Sequence, residues 1–131
     1  MADPTEFVTA RLDEEEAAAE LAAREGGTWK QDDPERRPGA ISSLGGPVVY
    51  DEGAPDEYQA IHIARHDPAR ALREIAAKRA MVEKYKLGRR LWNSDAEEWF
   101  SPAAAMFGSD MEWLIKTLAA VWSDHPDYRE E

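Results

Sequence analysis

Apolar residues recur at helical spacing in SDMEWLIKTLAAVW, where Met111, Leu114, Ile115, Leu118, Val121 and Trp122 fall on one face of a helix predicted over residues 109–122. Ser109 stands at the N-cap position with Glu112 three residues on, the spacing of a capping box, and Pro126 halts the pattern. The N-terminal segment carries a thinner stripe of Phe7, Val8, Leu12, Ala19, Leu21 and Ala22. Asp3 is placed to cap it, Pro4 suits its first position and Glu6 the capping-box site, and Gly26-Gly27 stops it after about Arg24. So alanine-rich a face predicts close packing on the surface of a core.

The middle of the chain alternates between strand-like and helical patterns. Gly27–Gln31 (GTWKQ) is extended in character, and Pro47–Glu52 (PVVYDE) is a β-branched, aromatic run. Between them, Asp32–Gly46 is rich in proline, glycine and serine and reads as a loop. The two strands are expected to pair as an antiparallel ribbon, which needs helices packed on one face. A short helix is predicted over Ala54–His66 and a longer one over Pro68–Leu87, closed by Gly88. Asp67-Pro68 sets the boundary, because the residue before proline is disfavoured in helical geometry while aspartate is a strong cap. Leu72, Ile75, Ala76 and Val82 give the longer helix an inward stripe, broken by Arg79, and Arg70–Glu74, Glu74–Lys78 and Arg79–Glu83 sit at helical pair spacing. Asn93 or Ser94 is read as starting one further short helix, with SPAAAMFG at 101–108 adding a turn. The expected fold is a single α+β domain over 1–131, mainly helical, with four or five helices and one small two-stranded antiparallel ribbon.

Composition narrows the possibilities. A hydrophobic content of 43% with five tryptophans belongs to a folded chain, and 131 residues suffice for one core. With no cysteine, disulfides, thiolate metal sites and cysteine nucleophiles are excluded, and a reducing, cytoplasmic setting is expected. No apolar run approaches the roughly 18 residues of a membrane span, and the acidic N-terminus lacks the pattern of a signal peptide. The net charge of −11 is unevenly spread: residues 1–57 carry −10, residues 58–90 carry +6 and residues 91–131 carry −7. A basic centre between acidic flanks predicts internal pairing and solvated faces, and the overall acidity argues against nucleic acid as a partner.

His62 and His66 are the candidate chemistry. Four residues apart, and on one stripe with Tyr58, they have the spacing of two ligands of one zinc ion. A metalloprotease motif would place glutamate after the first histidine, where this chain has Ile63. The only other histidine, His125, lies in DHPDY beside Asp124 and Asp127, so a three-histidine site or one with a carboxylate requires the C-terminal tail to return to the helix junction. The structural reading is simpler. His66 closes the short helix, where an imidazole favours the carbonyl end, and His62 and His125 sit at the edge of the core. No Gly-x-Ser-x-Gly elbow and no nucleotide-binding fingerprint is present, so a non-enzymatic role without a cofactor is expected, the alternative being a divalent-metal-binding protein or metal-dependent hydrolase that uses His62, His66 and His125, with zinc as the metal. Tyr58, Arg65, Arg70, Arg73, Trp92 and Trp99 are the candidate contact residues for a protein partner or a second copy of the chain, since exposed aromatic and arginine side chains are enriched at interfaces.

Three stretches together resemble a family of small actinobacterial proteins, a domain of unknown function found in Streptomyces-like genomes and their phages. They are FVTARLDEEEAAA, VVYDEGAP running into HIARHDPAR and the following LREI and AKR, and the terminal DHPDYREE. Gly26–Trp29 is similar to the family's glycine–proline–tryptophan turn before a first strand, with Thr28 in place of the proline, and the resemblance does not extend to residues 91–108. The resemblance supplies no activity and no catalytic residue. It fits a protein-binding or regulatory module of an actinobacterium or its phage.

Overall fold

The structure is a computed structural model that describes residues 3–93 and 102–130, with side chains described for 3–90 and 108–130. Among the described residues there are four α-helices, α1 (Pro4–Ala22), α2 (Glu57–Arg65), α3 (Pro68–Asn93) and α4 (Pro102–Ala119), the last continued by a 3-10 turn over Ala120–Trp122. Three short strands, β1 (Lys30–Gln31), β2 (Ile41–Ser43) and β3 (Gly46–Val49), form one antiparallel sheet in the order β1-β2-β3. The fold is α+β and mainly helical. The contacts divide into two compact units, one built from Met1–Asp13 and Ala76–Glu131, the other from Glu14–Ile75.

The sheet corrects the two-stranded ribbon. β1 and β3 do not pair with each other; both pair with β2, which comes from the stretch expected to be a loop. Only Ile41 in that stretch is strand-like, yet it is fully buried and sits opposite both Gln31 and Val49. Burial of one isoleucine, worth about 1.5–3 kcal/mol, outweighs the poor strand propensity of its serine neighbours. A two-residue turn, Leu44-Gly45, then reverses the chain so that Ser43 faces Gly46. Gly46 lies at φ +125°, and a side chain at Gly45 would collide with the Glu25 carbonyl, so both positions of this hairpin require glycine. Pro47 occupies the edge strand, the one place in a sheet where a missing N–H is tolerated. The turn after β1 is closed by Ser42 Oγ donating to Asp32 Oδ1 at 2.8 Å and Gln31 Nε2 donating to the Pro38 carbonyl at 2.8 Å. Ala19, Ala40, Ile41, Ala60 and Ile75 are the buried apolar residues of this unit.

α2 and α3 are separate helices, as the Asp67-Pro68 pair predicts. Asp56 caps α2 in a reciprocal box with Gln59, so the helix starts later than Ala54. Asp67 caps α3, its Oδ1 accepting from the Arg70 backbone N–H at 2.9 Å. Its Oδ2 accepts from the Trp29 backbone N–H at 3.0 Å, and Ala69 N–H donates to the Gly27 carbonyl at 2.9 Å. One buried carboxylate therefore ends the chain reversal and fixes the segment entering β1. α3 continues past Gly88 to Asn93 instead of closing there, because helix-forming neighbours on both sides carry a single glycine through. Ile75 and Val82 of its stripe are buried and Leu72 half-buried, whereas Ala76 is exposed.

The other unit packs the first turns of α1, the second half of α3 and α4. Val8, Leu12, Val82, Tyr85, Ile115, Ala119 and Trp122 are its buried apolar residues among the described side chains. α4 differs from the sequence expectation at its start, while its 3-10 continuation ends at Trp122 as predicted. It begins at Pro102, in the first-turn position that suits proline, and runs through Ser109, which is interior and caps nothing. Glu112 pairs with Lys116 at 3.1 Å. Of the expected stripe, Ile115 is fully buried and Trp122 is 9% exposed, but Leu114 and Leu118 are half-buried and Val121 is exposed. The buried face is thus centred on Ile115, Ala119 and Trp122, about a quarter of a turn from Leu114 and Leu118. Asn93, one of the two expected starts of a short helix, is the last residue of α3, and the start expected at Ser94 lies outside the described residues.

Candidate functional site

The helix α2 presents Tyr58, His62 and Arg65 to solvent, with His66 at its C-cap. Tyr58 is 79% exposed and borders an open depression whose other walls are Ala54, Pro55, Gln59, His62 and Ile63. The rings of His62 and His66 stack, with centroids 4.2 Å apart and planes 32° from parallel. His66 Nδ1 lies 2.8 Å from the His62 carbonyl and therefore donates to it, as an oxygen can only accept. The His66 backbone N–H adds bonds to the His62 and Ile63 carbonyls, so this histidine closes the helix with both backbone and ring. Arg65 and Arg73 are exposed, while Arg70 is tied to Glu74 at 2.7 Å and reaches the Arg65 carbonyl at 3.4 Å. The Trp92 side chain and Trp99 lie outside the described residues.

His125 is engaged elsewhere. Nη1 of Arg11, a residue 8% exposed, lies 2.8 Å from both His125 Nδ1 and His125 Nε2. The Asp127 backbone N–H also points to Nδ1, at 3.1 Å. Asp127 Oδ2 approaches Arg11 Nη1 at 3.8 Å. Among the described residues no group of three or more histidine and carboxylate side chains is placed to hold a metal ion. A cationic guanidinium occupies the coordinating edge of His125, and Asp67, one of the carboxylates near the histidines in sequence, spends both oxygens on backbone N–H groups.

Around Arg11 the tail forms an aromatic enclosure that sequence reasoning missed. The Arg11 guanidinium lies 5.2 Å from the Phe7 ring centre, a cation–π distance. Phe7 meets His125 edge-on at 5.8 Å, Trp122 edge-on at 6.5 Å and Tyr128 at 6.0 Å. Phe7 and Arg11 are four apart on α1, and this spacing, together with the aromatic content of the tail, was the available signal. FVTAR and DHPDY, two of the stretches that carry the family resemblance, meet in this cluster.

Beside the cluster, the ends of α1 and the tail enclose a cleft of 420 Å³ with α3 and α4. Pro4, Phe7, Ala119 and Tyr128 supply its apolar surface. Charged side chains ring it in pairs, with Arg89 3.5 Å from Asp3 and Lys116 3.1 Å from Glu112. Arg129 Nη1 donates to the Pro126 and Tyr128 carbonyls at 2.9 and 2.8 Å. Partial burial pushes the Asp3 carboxyl upward, but the hydrogen bonds from Thr5 and the charges of Arg89 and Lys86 together outweigh it and hold Asp3 below its ordinary value.

No helix among the described residues is long and apolar enough to cross a membrane. Comparison with curated proteins and with solved structures returned no match. The model of one family, described as a family of unknown function, DUF6221, matches residues 1–131, and the chain belongs to that family.

Proposed function

We propose that this chain is a non-enzymatic protein-binding or regulatory module, acting in the cytoplasm of an actinobacterium or its phage through the exposed face of α2. The observation that carries this reading is Tyr58, a large aromatic side chain 79% exposed at the border of an apolar depression. Tyrosine loses little side-chain entropy on docking and offers both a ring and a hydroxyl, which is why such residues anchor interfaces. Arg65 on the same helix and Arg73 on α3 add exposed cationic contacts suited to acidic side chains of the partner. A photoreactive phenylalanine analogue at position 58, compared with one at the exposed Glu20, tests the reading in cells of the source organism. A discrete adduct from position 58 that is lost on Arg65→Glu supports it, and its mass separates another protein from a second copy of this chain. Equal adducts from both positions, or none from position 58, overturn it.

A second reading, zinc held by His62 and His66, is favoured by one observation, the 4.2 Å stacking of two exposed rings. With His66 Nδ1 donating to a carbonyl, its Nε2 remains for a metal, and water would complete the coordination that two imidazoles leave open. Calorimetry with zinc at neutral pH should show binding that either His62→Ala or His66→Ala abolishes. Binding unchanged by both substitutions removes this reading.

A further inference from the structure

We propose that the exposed face of α2 docks on the same face of a second copy of this chain, with the two helices antiparallel across a two-fold axis. The proposal rests on the reading of the Tyr58 face as a docking surface and names its partner. Ala60 is fully buried on the opposite side of α2, which leaves Tyr58, His62 and Arg65 along one outward stripe at i, i+4 and i+7. Glu57 borders the stripe at its acidic start, and Arg65 stands on it at its basic end. Both are exposed, and neither side chain has an ionic partner among the described residues. They do not serve each other, since the turns between them hold them about 12 Å apart along the helix, well beyond the reach of i, i+4 pairs.

An antiparallel copy supplies what each end lacks. With the axis opposite the midpoint of Ile61 and His62, Tyr58 of one copy is level with Arg65 of the other, and Glu57 lies one residue further on. The Arg65 guanidinium then rests on the Tyr58 ring as a cation–π contact and reaches the Glu57 carboxylate, and the two-fold axis repeats both contacts. A parallel pair would instead set Glu57 against Glu57 and Arg65 against Arg65. The charge of −11 on each copy opposes association at long range. At physiological salt the screening length of about 8 Å cuts that repulsion, while groups in contact still attract. A helix of 9 residues covers less than a standard interface, so the dimer is weak, with a Kd of about 0.1 mM.

The test is sedimentation equilibrium of the full chain from about 10 μM to about 1 mM, in about 0.15 M salt with a chelator that removes zinc. The parent should dimerise across this range. Glu57→Arg and Arg65→Glu each bring like charges together twice per dimer, and each should weaken self-association at least about tenfold. An equimolar mixture of the two variants restores both opposite-charge contacts in a mixed dimer. It should recover the parent's affinity within about threefold, a rescue that misfolding of either variant would not produce. A parent that stays monomeric at about 1 mM, single variants that associate as tightly as the parent, or a mixture that does not associate, overturns the proposal. A monomeric parent leaves the reading of the Tyr58 face standing, because the adduct from position 58 in cells then carries the mass of another protein. Absence of that adduct is what removes the reading itself.

Discussion

Arg11 on α1 places one guanidinium nitrogen 2.8 Å from each ring nitrogen of His125, 114 residues further along the chain. This contact, backed by Phe7, fastens the C-terminal tail to the first helix. Its loss removes a hydrogen bond made by a charged group, worth about 1.5–3 kcal/mol. His125→Ala should therefore lower stability by that amount in urea unfolding, while His62→Ala, at an exposed position, stays within about 0.5 kcal/mol of the parent. Equal effects of the two substitutions would remove the structural role assigned to His125.

Asp67 bonds two backbone N–H groups from different segments, those of Arg70 and Trp29. Asp67→Ala should cost about 1–2 kcal/mol, the upper range for a helix cap. Asp67→Asn retains an acceptor for one bond and should recover part of the loss. Amide exchange at Trp29 and Arg70 should quicken together in the alanine variant, and protection unchanged at Trp29 would contradict the dual role.

Ile115 is the fully buried residue of α4, and Leu114 and Leu118 beside it are only half-buried. Ile115→Ala is expected to destabilise by about 2–5 kcal/mol. Leu114→Ala and Leu118→Ala should each cost less, since less of their apolar area leaves water. Denaturant melts ranking either leucine above Ile115 would place the buried face of α4 elsewhere.

Gly88 lies inside α3, and a side-chain carbon there meets nothing within 4 Å. No packing requires the glycine, so Gly88→Ala should stabilise the fold by about 0.5–1 kcal/mol through helix propensity and a less flexible unfolded chain. A lower melting temperature in this variant would show that the position has a steric demand.

The Asp3 carboxyl is held below its usual value of 3.8, so the folded state binds that proton more weakly than the unfolded chain. Its contribution is complete above the unfolded value and is lost as pH falls through the lower folded value. Asp3→Asn keeps a capping side chain and removes the charge. It should be less stable than the parent at pH 7, with the gap closing as the carboxylate is titrated below about pH 4. A gap of constant size down to about pH 2 would mean that the charge of Asp3 is immaterial.

Several features were legible in the sequence because their causes are local. The Asp67-Pro68 boundary depends on neighbouring residues and on a side chain three positions from its donor. The mainly helical α+β class follows from periodicity, and the absence of cysteine excludes thiol chemistry outright. Tyr58 and His62 share one stripe of α2 as their spacing predicts, but His62 is exposed instead of lying at the edge of the core. What the tertiary structure decided involves partners far apart in the chain. β2 exists because Ile41 is buried between two strands, a gain invisible in a serine-, glycine- and proline-rich segment. The end of α3 and the start of α4 were misplaced because a single glycine or serine is a weak stop when helix formers flank it. The role of His125 turned on a residue 114 positions away: spacing could relate His62 to His66, but only the folded chain could set Arg11 against the third histidine.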